Sequence, residues 1–180
     1  MSRHVVDTNV LIVASGEHPD SPFSSYRHPV EDAGEAEKVL EWLMDFELSG
    51  GRMVSDYDYE IFGEYEKKLT EQDYGLMVRR TKFDRNEIDY VALEWEDDPA
   101  NPDKVAVLPK QLKDVVHDLA DRKMIAACLK ANEDGMACTL VNACDTDWYD
   151  WQKQLEVAGV EVEQIIEEWS RKKWKEHHDR

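Results

Sequence analysis

The sequence predicts an α/β fold with a mostly parallel sheet. Short apolar runs such as Val5-Val6 and Leu140-Val141 alternate with longer segments of helical periodicity, the pattern of strands joined by crossover helices. Carboxylates, Asp7 and Asp145, lie just beyond both runs, and in open α/β sheets ligands bind beyond the carboxyl ends of the strands. A chain of 180 residues with 42% hydrophobic content is long enough for one domain with a substantial core.

The elements follow in order. Residues 4–13 read as the first strand, two apolar runs on either side of Asp7, Thr8 and Asn9. A carboxylate inside such a run calls for a partner, because an unpaired buried charge is costly. Asp7 either ends the central strand and faces a metal ion, or caps the turn or helix that follows. Residues 16–29, with Gly16, Pro19, Asp20, Pro22, Ser24, Ser25 and Pro29, form a loop. His18 and His28 within it read as surface or turn histidines. A helix is expected over 33–48, where Val39, Leu43 and Phe46 share a face that Leu40 and Trp42 widen, and Gly50-Gly51 ends it. Residues 52–55 are a short strand. A helix over 56–69 is capped by Ser55 or Asp56; Ile61, Tyr65 and Leu69 line its apolar face, with Glu60 and Glu64 in a row beside it. Residues 76–85 continue helical.

The stretch 84–115 reads as an insertion or lid-like excursion. It carries strand-like 90–95 and 105–108 around a turn-rich loop at 97–103 and is too short for a core of its own. Asp118-Leu119-Ala120-Asp121 then opens a helix over 122–131 with Met124, Ile125 and Cys128 on its apolar face. Residues 136–141 form the second buried strand and run into Asn142 and Asp145-Thr146-Asp147-Trp148. A helix over 149–158 stops at Gly159, an edge strand follows at 160–163, and a polar helix with Trp169 and Trp174 occupies about 165–180. The whole reads as one domain, 1–180.

No apolar run approaches the roughly 20 residues of a membrane span. The start Met1-Ser2-Arg3-His4 lacks the parts of a secretory signal. Cys128, Cys138 and Cys144 show no metal-type spacing and read as core residues. The expected location is cytoplasmic, with no membrane partner. The net charge of -18 argues against simple phosphate-tracking binding of nucleic acid, though an enzyme using divalent cations stays open. The basic run 171–175 touches phosphate or an acidic partner, or is a solvated helix end suited to the helix dipole.

Four acidic segments remain: Asp7, the Glu60/Glu64 row, Asp118/Asp121 and Asp145/Asp147. Singly they read as caps and turns. Together they raise a physical problem, since two unit charges about 4 Å apart repel by roughly 4 kcal/mol at an effective dielectric near 20. Carboxylates meeting at one point need a cation. All-oxygen ligands suit Mg²⁺ or Mn²⁺, whose chemistry points to phosphodiester hydrolysis.

With these segments in hand, the chain resembles the bacterial PIN-domain ribonucleases over about 4–166. Val5-Val6-Asp7-Thr8-Asn9-Val10-Leu11-Ile12 is similar to the family's first strand, with Asp7 as its first metal-binding acid supported by Asn9 or Thr8. Glu64-Tyr65 followed by Leu69 resembles the second motif and puts that acid on Glu64, with Glu60 one turn earlier competing. The run from Asp118 to Ala127 resembles the third, with Asp121, just before Arg122-Lys123, as the ligand. Asp145-Thr146-Asp147-Trp148 resembles the last, with Asp145 as the fourth acid and Asp147 and Asn142 nearby.

The resemblance implies a Rossmann-like three-layer α/β/α sandwich with four or five strands. It also implies an Mg²⁺/Mn²⁺-dependent endoribonuclease in which Asp7, Glu64, Asp121 and Asp145 hold metal and water attacks phosphorus in line. RNA is the expected substrate. An inhibitor of the toxin–antitoxin or defence kind and a second copy of the chain are the expected partners. Two rivals stand beside it. One is a PIN-like module that binds a partner without cleaving. The other is a phosphatase of the haloacid-dehalogenase type with Asp7 as nucleophile, which Asn9 disfavours because such enzymes present Asp-x-Asp.

Overall fold

In a computed structural model that describes residues 1–22 and 28–180, the chain runs β1 (Arg3–Val6), α1 (Thr8–Glu17), α2 (Ala33–Leu48), β2 (Arg52–Asp56), α3 (Glu60–Lys68), α4 (Tyr74–Asp84), β3 (Ile88–Val91), β4 (Trp95–Asp98), β5 (Asn101–Ala106), α5 (Lys110–Lys113), α6 (Arg122–Glu133), β6 (Thr139–Asn142), α7 (Thr146–Val157), β7 (Glu161–Gln164) and α8 (Glu167–His178). The loop residues Ser24 and Ser25 lie outside the described residues. The main sheet has five strands in the order β3-β2-β1-β6-β7, all parallel and flanked by helices. This is the α/β sandwich anticipated from the alternation of strand and helix.

The order explains where a site belongs. From β1 the chain moves outward through β2 to β3, then returns to add β6 and β7 on the other side. The sheet order therefore reverses between β1 and β6, the position at which open α/β sheets form a ligand crevice beyond the carboxyl ends of their strands. Their register, Val5 opposite Leu140 and Val6 opposite Val141, brings those ends level. All four side chains are fully buried, each contributing roughly 1.5–3 kcal/mol.

The first strand is shorter than its sequence suggests. Val10, Leu11 and Val13 belong to α1, not to a strand running to residue 13. The helix packs against α2, α3 and α4, so it is apolar on most sides and carries no helical stripe; such a run cannot be told from a buried strand by periodicity. Gly75 permits the contact with α4. A Cβ there would lie 2.7 Å from Leu11 Cβ and 3.0 Å from the Leu11 carbonyl oxygen, while the Gly75 N–H donates to Ser15 Oγ at 2.9 Å.

The helix over 33–48 forms as anticipated, with Asp32 accepting the Glu35 N–H at its start. Lys82, fully buried, donates to the Ser49 and Gly51 carbonyls at its far end and to Glu87. α3 starts at Glu60, not at residue 56, because Asp56 completes β2; its carboxylate still caps the helix by accepting the Glu60 and Ile61 N–H groups. The stretch 84–115 is not all excursion. Ile88–Val91 pairs with β2 as the edge of the main sheet, and only β4 and β5 form a separate antiparallel pair. α7 starts at Thr146, three residues before the expected 149, because Asp145 caps it. Among the described residues no helix is long and apolar enough to cross a membrane.

Candidate metal centre

Asp7 leaves β1 and becomes the N-cap of α1. Its Oδ1 accepts the Asn9 N–H at 3.0 Å and the Asn9 side-chain amide at 2.9 Å, and its Oδ2 accepts the Trp148 indole N–H at 2.6 Å. The residue is 6% exposed. Capping and membership of an acidic cluster are thus the same placement seen from two sides. Burial pushes the Asp7 carboxyl up to about 7; the charges of Asp145 and Glu64 add to this, against the bonds from Asn9 and Trp148.

Two asparagines lock the ends of β1 and β6 together. Asn9 Oδ1 accepts the N–H groups of Ala143 at 2.9 Å and Cys144 at 3.1 Å, and its amide nitrogen donates to Asp7 and to Asn142 Oδ1. Asn142 Oδ1 also accepts the Asp145 N–H at 3.1 Å. Its amide nitrogen donates to the Asp145 carbonyl at 2.9 Å and to Gln164 Oε1 at 2.7 Å. Each amide makes all four bonds open to it. Both residues are therefore consumed in positioning Asp7 and Asp145 and have no lone pair left for a metal.

Asp121, Asp145 and Asp147 each offer a carboxylate oxygen within 4.8 Å of the others; among the described residues this is the group close enough to share one ion, and the expected ligands Asp7 and Glu64 lie outside it. Asp145 caps α7 by accepting the Asp147 N–H at 2.9 Å. Burial raises the Asp145 carboxyl to about 6, and Asp147 and Asp118 add to it. Asp121 stands just before α6, its Oδ2 buried without a hydrogen-bond partner. Burial is the chief reason its carboxyl rises to about 9, followed by the charges of Asp7, Asp118, Asp145 and Glu64. The Asp147 carboxyl is raised by burial, Asp118 and Asp150, with His117 opposing. Asp118 is exposed and accepts the Ala120 N–H at 2.9 Å.

Glu64 enters from α3. Its Oε2 accepts the Thr8 hydroxyl, and its Oε1 accepts the Lys123 ammonium at 2.9 Å. Of the two glutamates in that row, Glu64 is the one whose charge acts on Asp7 and Asp121. Glu60 sits in the first turn, its N–H held by Asp56.

The basic pair after Asp121 divides. Lys123 joins the cluster, whereas Arg122 donates to the Val116 and Lys113 carbonyls and so ties down the loop before α6. Neither is a free surface cation. Sequence reasoning gave no role to Trp148, whose indole holds Asp7. The signal was present: a buried indole N–H needs an acceptor, and Trp148 lies three residues beyond Asp145. The bond from Lys123 to Glu64, between residues 59 apart in sequence, left no such signal. The chain matches no family model, no curated protein and no solved structure.

Proposed function

We propose that this crevice binds Mg²⁺ or Mn²⁺ and that the protein is a PIN-like endoribonuclease acting in the cytoplasm. The observation that carries the reading is the group Asp121, Asp145 and Asp147, whose carboxylate oxygens lie within 4.8 Å of one another beyond β6, with the charges of Asp7 and Glu64 acting on Asp121 from beside it. Asp121 adds a buried carboxylate oxygen with no partner. The donors are all oxygens, a set that fits a hard divalent cation. The carboxyls of Asp7, Asp121 and Asp145 are raised first by burial and then by neighbouring carboxylates, a cost that a bound cation would offset.

A bound Mg²⁺ or Mn²⁺ would supply positive charge against a phosphoryl group and acidify water. The chain's own residues prepare for it. Trp148 and Asn9 orient Asp7, Thr8 and Lys123 hold Glu64, and Asn142 fixes the turn that carries Asp145. Asp121 and Asp147 complete the rim. Asp7→Asn removes one charge and keeps one oxygen for the Asn9 donors, while its NH₂ faces the Trp148 indole N–H at a cost of roughly 1–3 kcal/mol. The variant is expected to stay folded, lose Mn²⁺ affinity in calorimetric titration, and lose RNA cleavage by at least about 100-fold. Cleavage at the parent's rate would overturn the proposal.

The salt bridge from Lys123 supports a second reading, a module that binds a partner and does not cleave. A cation already built into the cluster lowers its need for metal. The two readings part in the same titration: no Mn²⁺ binding at millimolar concentration selects the module.

A further inference from the structure

A cleft of about 350 Å³ lies on the far side of α3, between that helix, α4 and the edge strand β3. Its walls are aromatic: Tyr59, Phe62, Phe83 and Tyr90. Tyr59 and Phe62 meet edge to face with centroids 5.7 Å apart, and Phe62 meets Tyr90 at 6.2 Å. The Arg79 guanidinium lies 5.3 Å over the Phe62 ring and is held by Glu66 at 2.9 Å. The Tyr59 hydroxyl donates to the same Glu66 oxygen at 2.8 Å. Tyr59 has φ 66°, a left-handed backbone that residues with a Cβ adopt only at a cost. Phe83 is 63% exposed, and the Arg80 side chain is 77% exposed with only a 4.0 Å approach to Asp84.

We infer that this cleft binds an unpaired nucleobase of single-stranded RNA, stacked on Phe83 and Tyr59 with the guanidinium group of Arg80 at its edge. The inference rests on the endoribonuclease reading and names how its substrate is held. Bases splayed from single strands stack on aromatic rings and arginine planes, and a cavity of this size accepts a ligand of nucleotide dimensions. An apolar peptide side chain fits less well, because it would strip water from Arg80, Glu71 and Asp84 at the rim without replacing their hydrogen bonds.

Position adds to the case. The Phe62 ring is 5.7 Å from that of Tyr65, whose hydroxyl donates to the Val6 carbonyl next to Asp7. Tyr65 thus links the wall of the cleft to the end of β1, where Asp7 begins. A chain of net charge -18 repels a phosphate backbone. Base stacking supplies affinity that charge does not.

The test is fluorescence anisotropy of labelled decauridylate in Mg²⁺, with the Asp7→Asn chain so that the RNA stays intact. Adding Phe83→Ala is expected to weaken binding at least about fivefold, the loss of one stacking contact. Phe83→Tyr keeps affinity, and Val157→Ala, an exposed apolar residue on α7, leaves it unchanged. Undiminished affinity in both Phe83→Ala and Arg80→Gln overturns the inference, as does equal affinity for an abasic strand of the same length. The two readings fail differently. If the otherwise unaltered chain leaves RNA intact while Phe83→Ala still weakens binding, the nuclease reading falls and the cleft stands. If Phe83→Ala cleaves RNA at an unchanged KM, the cleft falls and the nuclease reading stands.

Discussion

Asp121 is the residue with least to lose from neutralisation. Its Oδ2 has no partner, and its carboxyl is pushed to about 9 by burial and by neighbouring carboxylates. Asp121→Asn is expected to raise the Tm of the metal-free protein at pH 7, where the unfolded parent has released a proton that folding must take back. The same variant should abolish any gain in Tm on adding millimolar Mn²⁺, both read by differential scanning calorimetry. Asn142 is the opposite case. It is fully buried, and all four of its hydrogen-bonding positions are filled. Asn142→Ala strands donors and acceptors on Asn9, Asp145 and Gln164. It should cost about 3 kcal/mol in urea denaturation, at roughly 1–3 kcal/mol for each unsatisfied buried group. Loss of under 0.5 kcal/mol would mean that water replaces the amide.

At the scale of elements, the contact between α1 and α4 depends on one missing methyl group. Gly75→Ala sets a Cβ 2.7 Å from Leu11 Cβ and 3.0 Å from a backbone oxygen, neither of which can swing away. It should destabilise by about 1–3 kcal/mol. Gly63, inside α3, has open space around the position of a Cβ. Gly63→Ala should instead stabilise by about 0.5–1 kcal/mol, the ordinary helix-interior difference. Chemical denaturation of the pair separates steric cause from helix propensity within one protein. The elements also show how legibility varies. The helix over 33–48 was plain because Val39, Leu43 and Phe46 face the core while the opposite side is solvated. α1 was not, because neighbours surround it and erase the period. The stretch 84–115, with its strand-like 90–95, reads as an excursion because β2, the partner of Ile88–Val91, lies more than 30 residues away in sequence, and parallel pairing leaves no hairpin signal.

For the molecule as a whole, the acidic crevice links stability to pH and to metal. Asp7, Asp121 and Asp145 have carboxyls raised above the usual carboxylate range, so the folded state holds protons that the unfolded chain has released. Stability of the metal-free protein must then fall as pH rises from about 4 towards 9. His4, whose imidazole is pushed down by burial, works in the other direction below its ordinary value of 6.5. The clean window is therefore pH 7 to 9, where Tm should drop without metal and recover with Mn²⁺; a metal-free Tm that rises across that window would contradict the shifts. The sequence by itself determined the α/β class, the parallel sheet and the two carboxylates at strand ends, because alternation of apolar runs and the position of Asp7 and Asp145 are local properties of the chain. Only the tertiary structure decided that Asp7 caps α1 while facing Asp121, Asp145 and Glu64, that Trp148 and two asparagines hold it, and that Lys123 neutralises Glu64. The reason is physical: distances between residues far apart in sequence, and the burial that shifts their charges, exist only once the sheet order has reversed between β1 and β6.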